Sequence, residues 1–367
     1  MEIRAAVLYE ANTPLVVEPV RLDDPKRREV LVRIGAAGVC HSDYHVMKGE
    51  WRPPLPMVLG HEASGTVERV GAGVERVRPG DRVILNFRPN CGWCDHCSRG
   101  EPVLCNGSES DRWLLFDGTT RLHTLSGRDL HHFARVASFA EYAVVPESGA
   151  VPVRGDVPLD AAALIGCSVM TGVGAVINTA RVEAGSSVLV IGCGGVGLNC
   201  IQGAALAGAE RIIAVDVKAN KLEYATRFGA TDVLDASEGD TASRVIELTG
   251  GGVDYAFEAI GLSRTIVDCY ESTRLGGTPV VGGMAAEDEV MTIPALSLPR
   301  TEKVLRGSWY GSARPWVDLP KMVDLYMGGR LKVDPLISRT YPLEEINEAY
   351  GALDRGEVAR SVLLMED

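Results

Sequence analysis

Cys91, Cys94 and Cys97 follow one another at two-residue gaps, and Cys105 follows after a gap of seven residues. Four thiolates from one loop satisfy tetrahedral zinc completely and leave no open position for water or substrate, so the spacing points to a structural ion. An iron–sulfur cluster also takes four cysteines, but the third gap is long and no further cluster motif follows. His96 lies inside the loop, where four thiolates make it unnecessary as a ligand. The chain has nine cysteines and a start, Met1-Glu2-Ile3-Arg4, without the features of a secretion signal, so metal explains the clustering better than disulfides. Cys193, Cys200 and Cys269 have no assignable role beyond packing.

Zinc-type ligands recur in three further segments: Gly38-Val39-Cys40-His41-Ser42-Asp43, Gly60-His61-Glu62 and Leu164-Ile165-Gly166-Cys167. Three protein ligands with an open fourth position make a catalytic zinc site. Singly, each segment has a plainer reading: cysteine is often buried, histidine is often a satisfied core residue, and Glu62 and Asp43 can be surface acids. Spacing alone does not bring the three together.

Gly192-Cys193-Gly194-Gly195-Val196-Gly197 fits G-x-G-x-x-G, directly after the apolar run Ser187 to Ile191 and before a helical stretch. The glycines give a tight turn, close approach to a pyrophosphate and close helix packing, while the helix N-terminus attracts the phosphates. A glycine turn needed only for packing is the alternative. Asp216, nineteen residues past Gly197 and at the end of the next β run, favours the dinucleotide site. A carboxylate there accepts from ribose hydroxyls and repels a 2′-phosphate, so NAD is expected over NADP. Lys218 and Lys221 lie just beyond it; a solvated helix face is the ordinary reading, with Lys221 within reach of the ribose.

The elements that must hold these residues divide in two. Residues 1 to about 150 read as short β segments, such as Val30 to Ile34, Gly65 to Val70 and Asp81 to Leu85, punctuated by glycine and proline, a barrel or sandwich pattern. Strand and helix then alternate: Ser187 to Ile191, helix Leu198 to Gly208, Arg211 to Asp216, helix Lys218 to Phe228, Val253 to Glu258 and Thr278 to Gly282. That order predicts a doubly wound parallel sheet. Helices at Leu319 to Met327 and Leu343 to Leu353 and a strand at Arg360 to Met365 follow.

The 367 residues suit two or three domains at roughly 150 each. Thirty-seven basic against 49 acidic residues give a net charge of −12, which disfavours nucleic acid and anionic membrane as partners. Ala161 to Ala180 and Gly185 to Ala209 carry no charged residue, yet glycines and polar residues interrupt both, so they are expected to be buried elements of a cytoplasmic protein.

These motifs in this order, closing with Arg360-Ser361-Val362, resemble the zinc-containing alcohol dehydrogenases of the medium-chain dehydrogenase/reductase superfamily over essentially the whole chain. The resemblance implies an α/β fold with a β-rich domain: a GroES-like catalytic barrel over 1–168 and 310–367, bearing the 91–105 lobe, and a Rossmann domain over 169–309. It implies that Cys40, His61 and Cys167 bind a catalytic zinc, with Glu62 at the same metal and Asp43 orienting His61. Ser42 and His45 would relay the proton; Trp51, Phe87, Phe133 and Trp309 would line the substrate channel. His41 and Arg360 would face the pyrophosphate, Thr171 and Val196 the nicotinamide, and Ile260 and Val281 would complete the cofactor site. The cofactors implied are NAD and two zinc ions per subunit.

The activity implied is interconversion of primary or aromatic alcohols and aldehydes with hydride transfer to NAD. Asn106 to Arg135 resembles the liver-type and thiol-dependent formaldehyde dehydrogenase branches, implying a homodimer. The alternative activity is therefore oxidation of a formaldehyde adduct of glutathione or mycothiol. Val83 to Arg88 and Ser308 to Gly311 resemble the mycothiol branch, whereas the adduct-binding arginine of the glutathione branch falls on Glu109, with Arg112 nearby. A non-enzymatic nucleotide-binding protein on this scaffold would lose the metal ligands, and all are present.

Overall fold

A computed structural model describes residues 1–107 and 111–365. Packing divides the chain into Met1–Cys167 with Arg314–Asp367, and Ser168–Ala313. The second crossing thus falls after Ala313, not at 309. Thr179 Oγ1 lies 3.0 Å from Ser308 Oγ and 2.7 Å from Ser312 Oγ, and Asn178 donates to the Gly311 carbonyl at 3.2 Å, which ties 308–312 to the second unit.

In the first unit, strands Glu2–Leu8, Val16–Leu22, Leu122–Thr124, Asp129–His132 and Met57–Val58 close a barrel. Strand Glu2–Leu8 is apolar on both faces: Ile3, Ala5 and Val7 enter one core with Val20 and Leu130, and Ala6 and Leu8 enter another with Val32 and Ile34. Side chains alternate along a strand, so this one walls two cores at once. A second sheet is centred on the long strand Glu29–Val39, flanked by Glu62–Val70, Tyr142–Pro146 and Arg360–Leu364. Its antiparallel register pairs Gly38 with Glu62 and Val39 with Ser361. Residues 40, 61 and 360 are thereby delivered to the same end of three neighbouring strands.

In the second unit, Asp232–Asp235, Arg211–Asp216, Ser187–Ile191, Val253–Glu258, Thr273–Val281 and Arg306–Gly307 form a parallel sheet in that spatial order. Leu189, Ile191, Ile213, Val215 and Ala256 are buried together, the near-continuous apolar pattern of strands covered on both faces. Helix Gly195–Ala207 starts earlier than the apolar periodicity indicates, because its first turn is Gly-Val-Gly, which carries little helical signal. Helix Pro315–Met327 likewise begins at a proline, suited to the first helical position.

The run Leu159–Ala180 is long and apolar enough to cross a membrane, with mean hydropathy 1.7, but 89 % of its apolar window is buried in the protein. The second uncharged stretch is a strand, a glycine turn and a helix, all largely buried.

Candidate active site

Cys40 stands between strand Glu29–Val39 and helix His41–Met47, and His61 immediately precedes strand Glu62–Val70. Cys167 sits in a π-helical turn, Ile165–Val169. The donor atoms of Cys40, His61 and Cys167 lie within 4.8 Å of one another, and all three residues are buried. Cys167 Sγ is 3.3 Å from His61 Nε2. On the far side of the ring, His61 Nδ1 is 3.0 Å from Asp43 Oδ2, whose other oxygen accepts the Gly60 N–H at 2.8 Å. A carboxylate at Nδ1 keeps the proton there and leaves the Nε2 lone pair toward the thiols, the orientation a metal-binding imidazole requires. Gly60 has φ +92°, and a Cβ there would sit 2.6 Å from the Phe139 nitrogen, so the approach to His61 needs glycine.

The electrostatics suit a cation. The Cys40 thiol is pushed well below its ordinary pKa by the hydrogen bond it shares with Cys167 and by the Arg360 guanidinium, and Cys167 is pushed up by the same shared bond. For His61, burial opposes the charged ring, but Asp43 and Cys40 outweigh it and raise the pKa. Asp43 is raised by burial. Two soft sulfurs and an imidazole nitrogen converging in a dry, anionic pocket fit zinc.

Glu62 stands apart from the donor triad. It is fully buried beneath Gly38, where a Cβ would lie 2.7 Å from its carboxyl carbon. Arg360, expected at a pyrophosphate, is also buried; burial works against its charge, while Glu62, Cys40 and Cys167 favour it. It donates to the Val39 carbonyl at 3.4 Å.

Ser42 and His45 lie on the helix that carries Asp43. The His45 ring stacks on Trp51 at 4.8 Å, and its Nδ1 contacts Glu50. Trp51 is thus packed on His45. Phe87 and Phe133 meet the His61 ring in edge-to-face geometry, with centroids 5.2 and 5.5 Å away. Trp113, which the motifs did not reveal, stacks on Phe133 at 5.5 Å and 19°. His41, at the helix start, is exposed. Glu109 lies outside the described residues, and Arg112 reaches over the Trp113 ring.

In the lobe, the sulfurs of Cys91, Cys94, Cys97 and Cys105 lie within 4.8 Å of one another. Cys91 to Cys97 is 4.0 Å and Cys94 to Cys105 is 3.8 Å. Four sulfurs at ~2.3 Å from one zinc stand ~3.8 Å apart, so the tetrad has the right size. The Cys97 N–H lowers the Cys94 thiol to about 6, favouring the thiolate a metal needs. His96 turns away to Glu101 at 3.1 Å. Arg88 secures the base of the lobe through the Val103 and Cys105 carbonyls at 3.0 and 3.4 Å.

In the second unit, Gly192 has φ +95°, and a Cβ on Gly197 would come within 1.7 Å of the Gly192 oxygen. Gly194 caps helix Gly195–Ala207, and its surroundings are open. Asp216 accepts from Cys193 N at 2.9 Å and Lys218 N at 3.0 Å, which fixes its carboxylate beside the glycine turn. Lys221 is buried, not on a solvated face. Thr171 lies beside Gly172, where a Cβ would meet the Val196 carbonyl at 2.4 Å. Ile260 packs over Gly192 and Val281 ends strand Thr273–Val281. Trp309 belongs to this unit and precedes the Tyr310–Ser312 turn. Cys193, Cys200 and Cys269 are buried packing thiols, their pKa values raised by burial.

A buried site fit for zinc and a separate dinucleotide turn define an oxidoreductase class, and comparison with known proteins agrees. Residues 26–155 match the alcohol dehydrogenase GroES-like domain and residues 195–327 the zinc-binding dehydrogenase domain. The chain is 39 % identical to S-(hydroxymethyl)glutathione dehydrogenase of Saccharomyces cerevisiae over 99 % of this chain and 96 % of that one. It is 41 % identical to alcohol dehydrogenase class-3 of Cereibacter sphaeroides over 99 % and 100 %. The crystal structure of benzyl alcohol dehydrogenase from Acinetobacter calcoaceticus superposes with TM-score 0.93 at 31 % identity, covering all of both chains. The chain belongs to the zinc-binding alcohol dehydrogenase family. It is an NAD-dependent oxidoreductase acting on CH–OH groups.

Proposed function

We propose that the protein interconverts primary or aromatic alcohols and aldehydes with NAD. The observation that carries this is the aromatic wall of Phe87 and Phe133 at His61, an apolar surface suited to a flat substrate, with Trp113 stacked on Phe133. In this reading Cys40, His61 and Cys167 hold a catalytic zinc, Glu62 and Arg360 balance charge beside it, and the four lobe cysteines hold a structural zinc. Two Cys and one His are the ligand set for which alcohol dehydrogenase is itself the standing example. When bound, the zinc supplies Lewis acidity toward the alcohol oxygen and NAD supplies the hydride acceptor. Asp43 holds the His61 ring. Ser42 Oγ takes the substrate proton and His45, steadied by Trp51 and Glu50, hands it to solvent.

The glycine turn and Asp216 bind the dinucleotide, with Thr171, Val196, Lys221, Ile260 and Val281 around it. Asp216→Gly should raise kcat/KM for NADP relative to NAD at least tenfold, on the order of one lost repulsive contact. An unchanged ratio would remove Asp216 from the cofactor assignment. Exposed Val290, Leu296 and Val304 and the edge strand Arg306–Gly307 support a homodimer, which sedimentation would show as twice the 39.3 kDa chain. A cytoplasmic location accords with the cysteine usage.

A second reading is favoured by the relatives named for S-(hydroxymethyl)glutathione: oxidation of a thiol adduct of formaldehyde. NAD reduction with benzyl alcohol, a straight-chain alcohol, and formaldehyde with or without glutathione or mycothiol separates the two. Turnover of free alcohols, with formaldehyde oxidation indifferent to thiol, supports the first. Activity only with formaldehyde and one thiol replaces it with the second.

A further inference from the structure

The turn after Phe133 is strained. Ala134, Arg135 and Ala137 adopt φ of 53°, 61° and 55°, left-handed values that residues with a Cβ rarely take. Such strain persists only where surrounding contacts over-determine the backbone. Those contacts come from the segment 111–116. Arg135 Nε donates to the Leu114 carbonyl at 2.9 Å and Nη2 to the Asp111 carbonyl at 3.5 Å, with the guanidinium 4.9 Å from the Phe116 ring centre. His132 N donates to the Trp113 carbonyl at 2.8 Å. Trp113 covers one side of the Phe133 ring, which meets the His61 ring in edge-to-face geometry.

We propose that Trp113 and Arg135 form a clamp that fixes Phe133 against the metal site, making them positioning residues for selectivity between flat aromatic and flexible aliphatic alcohols. The selectivity rests on the alcohol-oxidation reading above. Neither residue need touch substrate. Trp113 holds the ring from behind, and Arg135 holds the strained turn that presents it.

The test compares kcat/KM for benzyl alcohol and hexan-1-ol in Trp113→Ala, Arg135→Gly and the double variant, with NADH affinity as a control. Glycine tolerates left-handed φ, so Arg135→Gly removes the guanidinium without adding strain. Each single variant should lower the benzyl-to-hexyl ratio about tenfold, the scale of one aromatic pair, with NADH affinity unchanged. The double variant should fall no further than the worse single, because both act through Phe133. Trp113→Phe should restore most of the ratio. Additive effects, or equal losses on both alcohols, would overturn the clamp. If the wild type oxidises neither free alcohol, the alcohol reading fails, and a crystal structure of Trp113→Ala decides the clamp: a displaced Phe133 ring supports it, and an unmoved ring ends it.

Discussion

Asp43→Asn changes one atom and puts the second layer of the metal site to the test. In the wild type, Oδ1 accepts the Gly60 N–H at 2.8 Å and Oδ2 faces His61 Nδ1 at 3.0 Å. Asparagine can keep the first contact through its carbonyl, but its NH2 then faces the Nδ1 proton, donor against donor. The ring relieves this by moving its proton to Nε2, the nitrogen 3.3 Å from Cys167 Sγ, and so loses the lone pair a metal needs. Loss of such an outer partner costs about 10- to 100-fold in metal affinity, about 1.4–2.8 kcal/mol. Asp43 is fully buried, with no water for a misplaced amide, so the upper end is expected. Burial also raises the Asp43 pKa, which means an ionised carboxylate is unwelcome there without the metal. A neutral amide should therefore leave the metal-free melting temperature unchanged. Zinc competition against a chromophoric chelator, alongside melting of the stripped protein, reads both quantities. Wild-type zinc affinity in the variant, or an affinity loss matched by a lower metal-free melting temperature, would refute the reasoning.

Three further outcomes follow from the geometry. Cys105→Ser should cut zinc content from about two ions per chain to about one by elemental analysis, since a closed four-sulfur site tolerates no missing ligand. Gly197→Ala places a Cβ 1.7 Å from the Gly192 oxygen, which must push the helix from the turn; NADH affinity by fluorescence titration should fall more than about tenfold. Burial, helped by the Arg121 charge, holds His132 down at about 3, against about 6.5 unfolded, so the unfolded chain binds the extra proton between those values. Stability then rises with pH across that window, and this residue should make the protein about 2 kcal/mol less stable at pH 5 than at pH 7. Urea midpoints at the two pH values should show that loss, and His132→Gln should remove it.

The residues that carry chemistry were the most legible part of the sequence. Four cysteines on one short loop and six residues of glycine turn are local patterns, and local patterns survive without a fold. The Cys40, His61 and Cys167 set is non-local, and only family resemblance suggested its convergence; the register pairing Gly38 with Glu62 supplies the physical reason for part of it. Other features left no mark in spacing. The π turn at Cys167 lies in an unremarkable apolar run. The left-handed residues after Phe133 are not glycines, so nothing announced the turn. Trp113 belongs to no motif, and its place against Phe133 depends on the reversal at Ser126-Gly127 that pairs Leu122–Thr124 with Asp129–His132. Helix starts at Gly195 and Pro315 were missed because glycine and proline mask helical periodicity.

The long strand that ends at Cys40 is completed by Arg360–Leu364, about 320 residues further along the chain. The dinucleotide unit is one uninterrupted stretch, Ser168–Ala313, and can fold while translation continues. The metal-site unit must wait with that strand's edge uncovered, and an uncovered edge invites pairing with other chains. Biosynthesis thus leaves this part of the molecule exposed to misassembly until Arg360–Leu364 has been made. A nonsense codon before Arg360 would leave the Ser168–Ala313 unit able to fold and the long strand uncapped, a product more apt to aggregate than to work at reduced rate.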